Sequence, residues 1–372
     1  MNRSLFILMA SVALVGTNGL LMSPVLTDIA RGFGESAGVT GRALAAYSAG
    51  TAVTALWLGR SLDGFGLSKA LALAMLVVGL AQLGSGFATG WVTLALLQGL
   101  AGAGAGVALP AVYGITAMIS PKGQEARFMS RVIFGWSVAM VAAVPLGAFL
   151  AGAFGWRVML GLTGGVALLA AGLNWLLLPS SGKAVARLRM GRFRPLFLAG
   201  GWVQYGITLC FMAAFYGTYA YLGDHTRAAF GISAGEAGLT ALFYGLGFGL
   251  AMFGAPVVDR IGRAKALPVA LSITSTLLAV LWLAPVFPLF LGMIFLWGFI
   301  NHFILNMIVV GLNALAPDNR GAVMGLYSSV TYAAATLGIL VMGGGYEGPG
   351  FVAVALLAAV SNVVAMILAL RK

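Results

Sequence analysis

Long apolar segments, separated by short polar turns, run through the whole chain. Each has about 20 residues, the length at which an α-helix crosses roughly 30 Å of hydrocarbon. The strands of an outer-membrane barrel alternate in polarity and are only about ten residues long, so the pattern excludes that class. Twelve membrane helices are predicted, at 5–30, 38–60, 68–88, 91–118, 127–152, 156–178, 196–222, 234–258, 266–285, 287–314, 322–343 and 350–370.

Glycine, proline and charged residues mark the turns, and the longest connection runs from Pro179 to Pro195. We therefore expect an all-α membrane protein in three parts: a six-helix half at 1–179, a basic linker at 180–195 and a second six-helix half at 196–372. The first 25 residues are expected to form the first helix and not a signal peptide, because no small-x-small cleavage site follows them.

A charged turn of the first half recurs in the second half. Asp63 lies in the first copy and Asp259 in the second, 196 residues later. Pro121 and Pro317 keep the same separation. Two landmarks that share one offset, close to half the chain length, indicate an internal duplication.

The composition requires lipid as the surrounding solvent. Hydrophobic residues make up 61% of the chain and charged residues 8%, whereas soluble domains have about 45–50% and about 25%. The one cysteine, Cys210, is expected to be a packing residue. Two histidines are too few for a histidine metal site, and there is no P-loop or enzyme motif. We therefore expect no metal, no cofactor and no enzymatic activity.

Basic residues divide unequally between the two sides of the predicted helices. With both termini on one side, that side carries 17 of the 21 Lys and Arg residues, including every lysine. Cytoplasmic loops hold such an excess, so we expect a multi-pass protein of the bacterial inner (plasma) membrane with both termini cytoplasmic. The net charge of +12 then faces anionic membrane lipids and not nucleic acid.

The second charged turn, Asp259-Arg-Ile-Gly-Arg263, resembles the signature loop of the major facilitator superfamily. The first copy departs from that pattern at Gly64, where the family has an arginine. The resemblance covers the whole chain, because helix count, repeat and loop positions agree. It implies two parallel six-helix halves, each built of inverted three-helix repeats, that face each other across a central cavity. We expect such a protein to be a monomer.

Two further stretches resemble motifs of this superfamily. Residues 98–106 are similar to its fourth-helix motif, but Ala95 replaces an arginine that is associated with proton coupling in relatives. Pro145 and Gly147 loosely match the fifth-helix motif of drug and metabolite antiporters, and the Gly-Trp-Arg at 155–157 is common at the next junction. These features favour the drug/metabolite efflux (drug:proton antiporter-like) branch.

Ionisable groups inside a membrane are functional candidates. His302, Asn306 and Asn313 fall on one face of the tenth helix, and a histidine titrates near neutral pH. His302 is therefore a candidate for proton coupling; the alternative is a neutral histidine bonded to a neighbouring helix. Asp28, near the outer end of the first helix, is the second candidate, although an interfacial residue that ends the helix is the preferred interpretation.

Polar side chains on helices that should face the cavity are the candidates for substrate binding. They are Asn18, Tyr47, Gln98, Tyr113, Gln204, Tyr205, Tyr244, His302, Asn306 and Tyr327. The charged turns are expected to gate the cytoplasmic side and to hold the outward-open state. The gating candidates are Arg60, Asp63, Asp259, Arg260 and Arg263.

The candidate lining is neutral and aromatic, with no mid-span lysine or arginine. We therefore expect a secondary active transporter that exports a small neutral, cationic or amphipathic compound, drug-like or metabolite-like, by alternating access, with protons considered as the coupling ion. A nutrient importer or uniporter without ion coupling is the alternative that Ala95 supports. A non-transporting receptor or assembly relative is a third, which the lack of a long loop disfavours.

Overall fold

The residues that the structure describes form twelve helices, numbered α1 to α12 in chain order. The structure is a computed structural model and describes residues 3–57, 66–121, 124–179, 191, 193–254, 260–316 and 319–371. The helices are α1 Arg3–Phe33, α2 Ala37–Trp57, α3 Leu67–Ser85, α4 Trp91–Ile119, α5 Glu125–Ile133 continued by Gly135–Val138, Ala139–Ala143 and Val144–Phe154, α6 Trp156–Leu177, α7 Gly201–Phe230, α8 Ala234–Phe253, α9 Arg263–Leu281, α10 Phe287–Leu315, α11 Arg320–Tyr346 and α12 Phe351–Leu370.

Ten of these helices are long and apolar enough to cross a membrane, while α2 and α7 do not meet that criterion. Both lie where the first six helices (the N-terminal half) meet the last six (the C-terminal half), because α2 packs on α11 and the end of α1 packs on α7. Helices that are covered by protein on more sides need a less continuous apolar surface. All twelve predicted helices are present, and α2 and α7 are the two that fall below this criterion.

The largest difference from the predicted helix limits is in α7. The pattern predicts a span at 196–222, but the helix begins at Gly201 and continues to Phe230. Its last two turns carry Asp224 and Arg227, which contact the N-terminal half. Gly231, with a left-handed φ of 66°, then ends the helix by donating its N–H to the Arg227 carbonyl.

Prolines interrupt α1 and α5 where these helices meet the C-terminal half. Pro24 lies in a 3-10 turn at Ser23–Val25, and Pro145 follows a π-helical turn at Ala139–Ala143. Proline has no backbone N–H and clashes with the preceding turn, which favours such irregular turns. The first turn packs on α7 and the second on α8.

One hydrophobic core joins the two halves at one face of the bundle. We call the face where α1 ends and α2 begins the distal face, and the opposite face the proximal face. The distal core combines residues of the end of α1, such as Leu26, with residues of the end of α7, such as Leu222. Towards the proximal face lie two further cores, one mainly in each half. Tyr332 of α11 enters the N-terminal core and Leu56 of α2 borders the C-terminal one, so α2 and α11 connect the halves below the distal core.

Contacts in one half recur in the other near the repeat distance. Gly102 of α4 lies against the Tyr47 carbonyl of α2, and Gly298 of α10 lies against the Tyr244 carbonyl of α8. Glycines with positive φ also recur at matching helix ends, as the pairs Gly34 and Gly231, Gly66 and Gly262, and Gly155 and Gly350. The internal duplication inferred from the sequence is therefore present in the structure.

Gly102→Ala should destabilise the fold, because a Cβ at this position would overlap the Tyr47 carbonyl and push α4 away from α2. Overpacking of this kind costs about 1–3 kcal/mol. Gly165→Ala is the matched control, since a Cβ there meets no atom within 4 Å. The midpoint of thermal unfolding in detergent should fall for Gly102→Ala and stay level or rise for Gly165→Ala; equal shifts would contradict the close contact.

Candidate functional site

The ends of α1 and α7 meet in a contact that we call the distal seam, formed by residues 23–28 and 219–227. The Ser23 hydroxyl donates to the Tyr219 carbonyl, and the Gly223 N–H donates back to Ser23 Oγ over 3.4 Å. A Cβ at Gly223 would overlap the backbone of Ser23 and Pro24. Glycine is thus required for the approach of the two helices, as is usual where helices pack closely in a membrane.

A bidentate ion pair joins the last residues of the two segments that form the distal seam. Arg227 donates from Nη1 and Nη2 to the two carboxylate oxygens of Asp28, over 2.7 and 2.9 Å. The side chains are 14% and 30% exposed, and this is the one salt bridge among the described residues. Charge-assisted pairs with this forked geometry are among the stronger polar contacts in proteins.

Two further carboxylates extend the polar contacts across the distal face. Asp224 of α7 accepts hydrogen bonds from Thr27 of α1 and from Tyr346 of α11. Glu347, directly after α11, accepts one from Ser36. The distal face is therefore held by polar contacts between the halves at α1 with α7 and at α2 with α11.

Sequence reasoning noted Asp28 but missed its partner. Asp28 and Arg31 in the first half correspond to Asp224 and Arg227 in the second, each 196 residues later. That repeat was the signal that could have identified Arg227. The pairing itself could not be predicted, because the repeat does not say which aspartate pairs with which arginine; Arg31 is exposed and outside the pair.

The proximal gating residues are not gathered into a comparable contact within the described chain. Arg60, Asp63 and Asp259 lie outside the described residues, and Arg260 is exposed. Arg263, another gating candidate, donates to the Met307 carbonyl over 2.8 Å and to Gln204 over 2.6 Å. It therefore ties α9 to α10 and α7 inside the C-terminal half.

Tyrosines from both halves gather between the halves, below the distal core. This tyrosine cluster is built around Tyr332 of α11, whose ring centroid lies 6.2 Å from that of Tyr216 of α7. Tyr47 and Tyr332 belong to the N-terminal core, with Tyr113 packed against it, and Tyr216 and Tyr327 pack against the C-terminal core. Tyr47 is fixed by a hydrogen bond of 3.0 Å from its hydroxyl to the Val15 carbonyl. The cluster presents aromatic faces and neutral hydroxyls to the boundary between the halves.

A second group of rings continues from this cluster into the C-terminal half. Phe215 lies beside Tyr216 and contacts Tyr244, whose ring packs edge-on against Trp297 at 5.1 Å. The Tyr244 hydroxyl accepts a 3.0 Å hydrogen bond from the Asn301 amide. The polar residue of α10 that contacts this group is therefore Asn301, which was not among the candidates.

Several buried polar atoms of α1 and α10 have no hydrogen-bond partner among the described residues. They include both amide atoms of Asn18, Oδ1 of Asn301 and Nδ1 of His302. The His302 ring itself packs edge-on against Phe248 at 4.8 Å. An unpaired buried polar group costs free energy, so these atoms are suited to bind water or a ligand between the helices.

The contacts of four other candidates are as follows. Gln98 is fully buried and donates to Gln82 and Ser85 of α3, each over 3.1 Å, so its amide serves the packing of α3 on α4. Gln204 accepts from Arg263. Tyr205 donates to the Val323 carbonyl over 3.0 Å, and Asn306 is exposed beside the half-buried His302. Hydrogen bonds inside one half thus satisfy three of the four.

These features define a multi-pass, all-helical membrane protein with an uncharged polar site between two repeated halves. The family model of the Major Facilitator Superfamily matches residues 7–223 and 204–372. The chain belongs to the major facilitator superfamily, whose members are transporters and not enzymes.

Relatives and solved structures are similar over nearly the whole chain. The MFS-type transporter YwfA of Bacillus subtilis (strain 168) is 28% identical over 361 residues, which is 95% of this chain and 88% of that protein. YceJ of the same organism, also an MFS-type transporter, is 24% identical over 93% of this chain and 90% of its own. A bacterial homologue of the human lysosomal transporter Spinster, in its inward-facing and unoccupied conformation, matches with a TM-score of 0.75 at 16% identity, over 99% of this chain and 94% of that one. Its inward-facing and occupied conformation matches with a TM-score of 0.76 at 17% identity, over 98% and 94%.

Asp28→Asn should loosen the distal seam. A charge-assisted hydrogen bond contributes about 1.5–3 kcal/mol, so the ratio of distal-open to distal-closed protein should rise roughly tenfold. Spin labels at Phe154 and Leu283, which are exposed near the distal ends of α5 and α9, report the separation of the halves by pulsed electron paramagnetic resonance after Cys210 is replaced by Ala.

The longer distances should appear in Asp28→Asn and in Arg227→Gln, and the exchanged pair Asp28→Arg with Arg227→Asp should restore the shorter ones. Arg31→Gln is the matched control, since the repeat makes Arg31 the counterpart of Arg227 but it lies outside the pair. An unchanged distribution in both single variants at the pair, or equal opening by Arg31→Gln, would show that the ion pair does not hold the seam.

Proposed function

We propose that this protein is a secondary active exporter of small neutral, cationic or amphipathic organic compounds, working by alternating access. The observation that carries the proposal is the uncharged aromatic site between two halves whose common core lies at the distal face. A site that both halves build can be exposed to either side when the halves rock about their contacts.

The orientation of the protein makes the distal face the outer one. The excess of basic residues near the proximal ends of the helices favours a cytoplasmic proximal face and cytoplasmic termini in a bacterial inner membrane. With the distal core closed and the two proximal cores separate, the conformation corresponds to an inward-facing one. A substrate for export would enter the site from the cytoplasm in this state.

The chemistry of the site favours the proposed class of substrate. The tyrosine cluster, the ring of Trp297, the amide of Asn18 and Oδ1 of Asn301 supply aromatic rings and neutral hydrogen-bonding groups, and the Asn18 amide and Asn301 Oδ1 have no partner among the described residues. Aromatic faces attract cations and pack well against apolar rings. Arg263, at the start of α9, is held within the C-terminal half by Met307 and Gln204, and the sequence has no mid-span lysine or arginine to neutralise an anionic substrate.

His302 is the proposed proton-coupling residue. Its Nδ1 is buried and has no hydrogen-bond partner among the described residues, so a proton or a substrate can bind there without breaking a described hydrogen bond. Asp28, the other candidate, is engaged with Arg227 at the distal seam, and we assign it to gating. The absence of the fourth-helix arginine at Ala95 supports the alternative, a uniporter or importer without ion coupling, and flux must be measured against a pH gradient to distinguish them.

Proteoliposomes that contain the full chain should transport a cationic and a neutral aromatic dye across the membrane. An anionic dye of similar size should not be transported. A pH gradient of the correct sign should accelerate the first two fluxes. His302→Gln should remove this acceleration and keep exchange of dye across the membrane at equal pH. His225→Gln is the control, because the other histidine of the chain stacks on Phe351 at 4.0 Å, near the distal face.

If dye flux through the unmodified protein did not depend on the pH gradient, the coupled-export mechanism would be wrong and the uniporter would be favoured. Preferred transport of the anionic dye would overturn the proposed substrate class. Absence of flux for every solute and every gradient would overturn transport through this site.

A further inference from the structure

An apolar groove of about 680 Å³ lies on the surface of the N-terminal half, between the distal ends of α3 and α6. Leu83 and Phe87 line it from the α3 side, and Val158 and Leu162 line it from α6. Phe87 is 83% exposed, and the two α6 residues are about half exposed. Gly161 leaves the groove unfilled, because a Cβ there would meet no atom within 4 Å. Both α3 and α6 are long and apolar enough to cross the membrane, so the groove opens towards lipid.

Arg157 also lines this groove and brings a positive charge to it. Its Nη2 donates to the Ala88 carbonyl over 3.0 Å, and its guanidinium lies 4.1 Å from the ring centroid of Trp156. It takes part in no salt bridge among the described residues. A guanidinium has five N–H donors, so the bond to Ala88 leaves donors for a further ligand.

The aromatic residues around Arg157 place it at the level of the lipid headgroups. Trp156 begins α6, and Trp91 begins α4 at the same face. Tryptophans concentrate at the boundary between the hydrocarbon and the headgroups. An apolar groove with a cation in its wall at this depth suits a phospholipid, whose acyl chains lie in the hydrocarbon and whose phosphate lies at the headgroup level.

We propose that this groove is a binding site for an anionic phospholipid of the distal leaflet. An acyl chain lies between α3 and α6, and Arg157 binds the headgroup phosphate through its forked donors. A headgroup with a cationic amine would need a carboxylate beside Arg157, and no carboxylate pairs with Arg157 among the described residues. We therefore expect headgroups without an amine to be preferred. The Gly-Trp-Arg at 155–157, which the transport site does not use, thereby positions a lipid.

Native mass spectrometry of the detergent-purified full chain tests this site, with phosphatidylglycerol and phosphatidylcholine added at equal concentration. Phosphatidylglycerol should remain bound in preference to phosphatidylcholine. Arg157→Gln should weaken phosphatidylglycerol binding roughly tenfold, because a charge-assisted hydrogen bond is lost, and Arg157→Lys should retain most of it. Gly161→Phe should abolish binding by filling the groove.

Gly292→Phe is the matched control on α10 of the other half, where a Cβ also meets no atom within 4 Å; it should bind lipid as the unmodified protein does. If Gly161→Phe lowers the thermal midpoint of the lipid-free protein, the smaller Gly161→Leu tests in its place whether filling the groove prevents lipid binding. Unchanged phosphatidylglycerol binding in Arg157→Gln and in the Gly161 variants would overturn the proposal. Displacement of the lipid by an equal concentration of glycerophosphate would also overturn it, because the acyl chain would then contribute nothing.

Discussion

The close contact of α1 with α7 at the distal face is the interaction on which the rest of the structure depends. In a bilayer, apolar helices gain little by leaving lipid for each other, so association relies on close packing and on polar contacts. The distal seam has both: Gly223 lets the backbones touch, and Arg227 binds Asp28 in two places. Because the halves share a core here and have separate cores towards the proximal face, this contact determines which side of the membrane can reach the site between them.

Irregular helix geometry lies at the same contacts. Pro24 and Pro145 interrupt α1 and α5 where these helices meet α7 and α8. A helix with a missing backbone hydrogen bond bends at that point more easily than a regular one. Below these turns, the tyrosine cluster and the rings beside Trp297 hold neutral hydroxyls and unpaired amides. The irregular turns thus lie close to the proposed binding site. In the proposed transport cycle, bending at these turns would accompany the exposure of the site to one side or the other.

Much of the fold could be predicted from sequence because the physical signals are local. Apolar segments about 20 residues long must be helices in lipid, since every backbone polar group has to be satisfied within the segment. The duplication was visible in Asp63 and Asp259. The end of α7 was missed because Asp224 and Arg227 are polar, and their burial depends on partners about 200 residues away.

The candidate site was less predictable, because polarity inside a helix does not tell which neighbour satisfies it. Gln98 was expected to line a cavity, yet it bonds to Gln82 inside the N-terminal half. Asn301 was passed over in favour of His302, although it is Asn301 that bonds to Tyr244. The sequence locates polar groups along a helix; the rotation and packing of twelve helices decide whether each one meets another side chain or the boundary between the halves.

A cross-link across the distal seam tests most directly whether the halves must separate there during transport. Thr27 donates to Asp224 between α1 and α7, so cysteines at these two positions in a Cys210→Ala background should form a disulfide when oxidised. We expect oxidation to abolish transport and reduction to restore it, while each single-cysteine protein is unaffected by the oxidant. Full transport by protein whose cross-link is complete would contradict the account.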